Sequence, residues 1–184
     1  MKKKNLLIIL LVVFLIIGAL ISLVVIQKKR DARPFNTYDF PSTLVVQNAT
    51  TYDRADTICL YLAHQILGLD TMELMIVYIP EHINSGEMEF YGMIQQIPFG
   101  KNQFLILLNK DRVSLTRLKE ILSHEFVHMD QYISGDLKLY PGFAIYKGED
   151  VYFGETEYED RPFEKEAFAL QGKFVKKLNK FLYD

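Results

Sequence analysis

Between Leu6 and Ile26 the chain runs for 21 residues without a charge, and only Gly18 and Ser22 in that run lie outside the apolar set. As a helix rising about 1.5 Å per residue it would extend about 31 Å, close to a hydrocarbon core about 30 Å thick. A small globular domain rarely surrounds such a uniformly apolar segment, so the run reads as a transmembrane helix. Basic residues flank it: Lys2, Lys3 and Lys4 before, then Lys28, Lys29, Arg30 and Arg33 after. With those seven and Asp31 set aside, 14 basic and 22 acidic residues remain from position 34 onward. A domain of charge −8 therefore hides behind an overall −2. Such acidity argues against nucleic acid as a partner.

A secretory signal peptide is the competing reading, but its apolar region is shorter, about 7–15 residues, and ends at a small-residue cleavage site. Here the run meets Gln27-Lys28-Lys29-Arg30, and its one small-residue cluster, Gly18-Ala19-Leu20-Ile21-Ser22, lies inside it. Residues 1–27 are thus expected to form a single-pass membrane anchor, 28–52 a tether and 53–184 the functional domain. Positive-inside counting leaves the orientation open. The arrangement of an ordinary signal anchor, short tail inside and domain extracytoplasmic, is the one expected. Cys59 is the single cysteine, so no intrachain disulfide reports on the compartment.

The domain alternates between two periodicities. Ala55, Ile58, Leu60, Tyr61, Leu62, Ile66 and Leu67 have helical spacing, and Gly68-Leu69-Asp70 ends that segment. Strands are predicted over 73–79, 88–97 and 103–108, separated by Gly86 and by Gly100-Lys101-Asn102, and an antiparallel meander is the economical arrangement. Helical spacing returns from Ser114 through Ile133 and closes at Gly135. A hairpin is predicted over Phe143–Tyr146 and Val151–Phe153, turning at 147–150. Pro162, favoured at a first helical position, opens a last helix reaching about Phe181. The tether carries one short apolar patch, Leu44-Val45-Val46. The sum is an α+β domain.

Chemistry enters at His124-Glu125-Phe126-Val127-His128, an H-E-x-x-H motif for which chance expects about 0.006 occurrences at this composition. Histidines at i and i+4 stand on one helical face about 5–6 Å apart at Cβ, so both imidazoles can converge on one metal ion. Zinc suits that spacing. Glu125 projects beside the metal, where it can take a proton from an activated water. A catalytic zinc usually has three protein ligands, yet His64 and His82 both precede the motif and no histidine follows it. Carboxylates follow instead, and in Tyr158-Glu159-Asp160-Arg161-Pro162-Phe163-Glu164-Lys165-Glu166-Ala167 residue Glu164 opens an E-x-x-A pattern.

An H-E-x-x-H helix followed by a helix carrying E-x-x-A resembles the gluzincin metallopeptidases, and the small size is similar to their minimal single-domain members. The resemblance covers roughly residues 100–172. It implies a small zincin-like domain with one Zn2+ per chain, His124, His128 and Glu164 as its ligands and Glu125 as catalytic base. It further implies that Phe104 to Asn109, the last strand before the motif helix, aligns an extended substrate by β-pairing. Asp130 stands two beyond His128, where such motifs are usually apolar.

Glu166 competes for the third position, but two residues along a helix turn the side chain by roughly 200°, so only one of the pair can face the metal. Glu164 is preferred because it alone gives E-x-x-A. Gln131, three residues beyond His128, lies near the ligand face and is taken as a surface amide. Tyr132, Tyr146, Tyr152 and Tyr158 are candidate oxyanion donors, although for any single one of them packing is the commoner role. His64 reads as a core histidine and Arg161 as a solvated charge. The function expected is membrane-anchored, zinc-assisted hydrolysis of a peptide or protein substrate. The competing reading is a non-catalytic, membrane-tethered domain that keeps a metal for stability. Nothing points to a nucleotide, flavin or haem, since the chain has no glycine-rich phosphate loop and no C-x-x-C-H.

Overall fold

The computed structural model describes residues 40–52, 54–79, 91–98, 100, 102–110 and 112–183. The run 6–26, read above as a membrane anchor, lies outside them. Among the described residues no helix is long and apolar enough to cross a membrane.

Strands β1 (Leu44–Asn48), β2 (Met72–Ile79), β3 (Gly92–Gln96) and β4 (Gln103–Asn109) form one sheet in the order β1-β2-β4-β3. β1, β2 and β4 run parallel, and only β3 is antiparallel, to β4. The expected meander thus survives only as its β3–β4 hairpin. β2 passes over its neighbour in sequence and pairs with β4, Ile76 opposite Ile106. Burial explains the order. Met72, Leu74 and Ile76 of β2 and Phe104, Ile106 and Leu108 of β4 fill the core, whereas Met93, Gln95 and Gln96 of β3 meet solvent. The two apolar strands take the centre and the mixed one takes the edge.

Two further expectations need correction. Leu44-Val45-Val46, assigned to the tether, is strand β1, so the domain begins before residue 53. Its parallel pairing with β2 requires a crossover, which α1 (Ala55–Tyr61) and a π-helical turn (Leu62–Ile66) supply. Also, β4 is bonded on both sides and has no edge to offer an extended substrate. The outer edge belongs to β3. Because Asn109 N–H donates to Tyr91 C=O and Ile97 N–H to Gln103 C=O, the alternation directs the main-chain groups of Gly92, Ile94 and Gln96 outward.

Helix α2 (Leu115–Ser134) carries the H-E-x-x-H motif. The Ser114 side chain accepts from Arg117 N–H at its start, and Gly135 closes it with φ of 78°. Leu118, Leu122, Phe126 and Met129 are fully buried against the sheet, each such side chain contributing about 1.5–3 kcal/mol. A second sheet follows, β5 (Leu137–Tyr140), β6 (Phe143–Tyr146) and β7 (Glu149–Tyr152), antiparallel throughout. The predicted hairpin is its β6–β7 half; β5 is additional. Lys147 and Gly148, both with positive φ (50° and 87°), make the two-residue turn suited to strand twist. Helix α3 (Pro162–Tyr183) then packs along α2, with Leu178 in the main core and Phe163 in a smaller cluster with Leu137, Ala144, Tyr146 and Val151. Tyr132 touches both clusters.

β3 lies so close to α2 that a Cβ on Gly92 would overlap Ile121 Cγ2 and reach to 3.4 Å from Glu125 Oε1. Ile121 is branched and sits on a packed helix, so it has little room to yield. Gly92→Ala is expected to cost about 1–3 kcal/mol as an overpacking substitution, read as a lower denaturant midpoint at unchanged m-value. An unchanged midpoint would show that the edge strand is free to move away from α2.

Candidate metal centre

α2 sets His124 and His128 one turn apart on the face turned to α3. Phe163, buried behind them, fixes the start of α3 so that Glu164 in its first turn points back at both. His124 Nε2 and His128 Nε2 are 3.1 Å apart, and Glu164 Oε2 lies 3.1 Å from the first and 3.3 Å from the second. All three side chains are buried. Among the described residues this is the one group of three or more such side chains able to share an ion.

Tautomers sharpen the picture. Gln131 Nε2 donates to Phe163 C=O (3.1 Å) and to Glu166 Oε2 (2.8 Å), which orients its amide and aims Oε1 at His128 Nδ1, 2.8 Å away. His128 therefore carries its proton on Nδ1 when neutral, and Nε2 is a bare lone pair. His124 Nδ1 lies 3.1 Å from Gln171 Oε1, which can accept a proton carried on that nitrogen. Two imidazole lone pairs and a carboxylate oxygen then crowd one point, which is tolerable only with a positive charge among them, a metal ion or a proton. The cluster can hold a metal ion.

The electrostatics agree. Burial would raise the pKa of the Glu164 carboxyl, but His124 and His128, which bond to it when their Nε2 atoms carry a proton, together with the charge of His128 and a bond from Tyr158, outweigh burial and hold it down to about 2. For His128, burial favours the neutral ring, yet the bond to Glu164 and the charges of Glu125 and Glu164 raise its pKa. Glu125 is raised by burial, with His128 and His124 acting against that. Its carboxylate accepts the Ile94 N–H of β3, one of the outward main-chain groups.

Glu166 is not in the cluster. It accepts from Tyr146 O–H (2.6 Å), Gln131 Nε2 and Lys147 Nζ (3.1 Å), so it is taken up by α2 and the second sheet and not by the two histidines. Gln131, expected at the surface, is 3% exposed and bonded to His128. Gln171 was not anticipated. Helical spacing could have found both amides: Gln131 is i+3 from His128, and Gln171 is i+7 from Glu164 with Phe168 at i+4 between them. Phe168 covers the His124 ring at 4.7 Å between centroids. Of the four tyrosines, Tyr158 bonds to Glu164, and Tyr132 lies close enough for Glu125 and Glu164 to add to the effect of burial in raising its pKa. Tyr146 is committed to Glu166, and Tyr152 points to Asp150. Asp130 is exposed, so its departure from an apolar pattern costs no packing. Arg161 is not simply solvated: its guanidinium lies 4.3 Å over the Phe153 ring. Comparison of the chain with protein-family models, with curated proteins and with solved structures gives no match.

A pH dependence follows for the chelator-treated protein. His128, with its pKa raised, contributes stability that is complete below about pH 6.5 and is lost as pH rises through the raised value. Glu164, depressed, contributes above its ordinary 4.5 and loses this as pH falls through about 2. The melting temperature of the metal-stripped chain should therefore fall as pH rises above about 6.5, and one equivalent of zinc should restore it on the alkaline side. Melting that is flat with pH and indifferent to zinc would remove the cationic requirement at the cluster.

Proposed function

We propose that the chain is a membrane-anchored zinc metallopeptidase of gluzincin type, with His124, His128 and Glu164 holding the metal and Glu125 as base. One observation carries the reading: two imidazole nitrogens and one carboxylate oxygen within 3.1–3.3 Å of one another, with a second buried carboxylate beside them. Ligands at about 2.0–2.2 Å around a tetrahedral zinc are separated by about 3.3–3.6 Å, and His2Glu is a donor set of hydrolytic zinc. The apolar run 6–26 supports the anchor, with the domain on the extracytoplasmic side.

Bound there, zinc would supply Lewis acidity, making water nucleophilic near neutral pH and polarising a scissile carbonyl. The chain's own residues do the rest. Glu125, its basicity raised by burial, takes a proton from the attacking water and returns it to the leaving amine nitrogen. The outward groups of Gly92, Ile94 and Gln96 offer an extended peptide a strand to pair with, in the position the resemblance had assigned to β4. Tyr158, bonded to Glu164 at the rim, is the tyrosine best placed to meet an oxyanion.

The test is Glu125→Gln in the full chain kept in detergent, with metal content by mass spectrometry and turnover on a mixed library of internally quenched peptides. Wild type should carry about one zinc per chain and hydrolyse the library. The variant should keep the zinc and lose about 10²–10⁴-fold in rate. Zinc without hydrolysis in either form favours the non-catalytic metal-binding domain, and wild type without zinc removes both.

A further inference from the structure

Beyond the three converging atoms, a chain of hydrogen bonds runs from His128 to the small second sheet. His128 Nδ1 bonds Gln131 Oε1, Gln131 Nε2 bonds Glu166 Oε2, and that same oxygen accepts the Tyr146 hydroxyl at 2.6 Å. Lys147, in the turn between β6 and β7, bonds the other carboxylate oxygen at 3.1 Å. Nothing in the proposed chemistry uses Glu166.

An amide has two orientations, and the orientation of Gln131 decides what His128 presents to the cluster. As placed, its oxygen receives the Nδ1 proton and Nε2 is left as a lone pair. Rotated by half a turn, its NH2 would face Nδ1 and drive the proton to Nε2, among the converging atoms. The rotated amide would also set Oε1 against both Phe163 C=O and the Glu166 carboxylate, exchanging two bonds for two repulsions. Phe163 C=O is a neutral acceptor; a carboxylate makes bonds roughly twice as strong. The carboxylate therefore carries most of the preference.

We propose that Glu166 is a positioning residue of the centre, holding the Gln131 amide so that His128 keeps its proton on Nδ1 and offers Nε2 to a metal. Its usefulness to a metal rests on the reading above, but the tautomer is a property of the chain alone. Tyr146 ties the carboxylate to the second sheet: its ring lies in the buried cluster with Leu137, Ala144, Val151 and Phe163, and only its hydroxyl reaches Glu166. Lys147 is half exposed, so water screens its pull on Glu166.

The experiment uses the full chain in detergent, labelled with 15N-histidine, in which long-range 1H–15N spectra report the protonated ring nitrogen at about pH 8.5 after metal removal. Zinc affinity is measured separately by chelator competition. Wild type should show His128 protonated on Nδ1. Glu166→Ala should give a mixture of tautomers and bind zinc about 10-fold more weakly. Glu166→Gln keeps an oxygen for Gln131 and Tyr146, and should retain the tautomer and stay within about 3-fold of wild type in affinity. Gln131→Glu gives Nδ1 a partner that can only accept, and should hold the Nδ1 tautomer with either Glu or Gln at 166; a tautomer that still changes with residue 166 in that background overturns the proposal, and this pair decides the matter if Glu166→Ala does not fold. A residue that only stabilised the fold would lower the melting temperature and leave the tautomer in place, and that result overturns the proposal. Wild type without zinc, but with a tautomer that Glu166→Ala shifts, removes the metal reading and upholds the positioning role. Wild type with zinc, and Glu166→Ala changing neither tautomer nor affinity, does the reverse.

Discussion

Burial of polar side chains at the seam between α2 and α3 is the constraint from which the rest of the domain takes its form. His124, Glu125, His128 and Gln131 come from α2 and Glu164 from α3, and all five are buried. A buried polar group without a partner costs about 1–3 kcal/mol, and a charged one more. The two helices are thus held to a relation in which each partner is supplied. Their apolar faces permit many ways of packing, whereas the polar seam is satisfied by few. Its cost is met by the larger core beneath, where α1 and α2 cover one face of the sheet and Phe104, Phe126, Ile76 and Ile106 are fully enclosed.

What was legible in the sequence was mostly local. The bounds of α2 could be read from Ser114 and Gly135, because a cap and a left-handed glycine act on their immediate neighbours. Helical rotation required that only one of Glu164 and Glu166 face the histidines, the E-x-x-A pattern chose Glu164, and the structure gives Glu166 to Gln131, Tyr146 and Lys147 instead. The two histidines of the cluster were legible from a spacing that a helix converts directly into proximity. The contribution of α3 to the site could be recognised only through its short E-x-x-A pattern.

The remainder was illegible because it depends on contacts distant in sequence. A strand shows its periodicity but not its neighbour, so the parallel pairing of β2 with β4 around an edge strand β3 could not be separated from a meander. Leu44-Val45-Val46 is too short to announce a strand and becomes one by pairing with Leu44↔Met72 in register. Gln131 shows the same limit in a side chain: its spacing placed it near a ligand, but only the approach of Phe163 and Glu166 buries it. The acidity of the domain resolves similarly. Of its many carboxylates, Glu125, Glu164 and Glu166 are drawn into the centre or its support, and neighbours such as Glu155, Glu157 and Glu159 stay in solvent.

Adjacent residues on α2 answer to different parts of the fold. A rotation of about 100° per residue turns His124 and His128 toward α3 and Glu125 toward the outer edge of β3, where Ile94 N–H meets its carboxylate. The two histidines are braced by Gln131, Glu166 and the small second sheet; Glu125 is braced by the edge strand of the first. A peptide pairing with β3 would compete with Glu125 for Ile94 N–H, since that group is one of the three directed outward. On the proposed function, substrate arrival and release of the Glu125 carboxylate would be coupled through a single main-chain donor. Glu125 would then lose a bond that holds down its basicity when a peptide pairs with the strand.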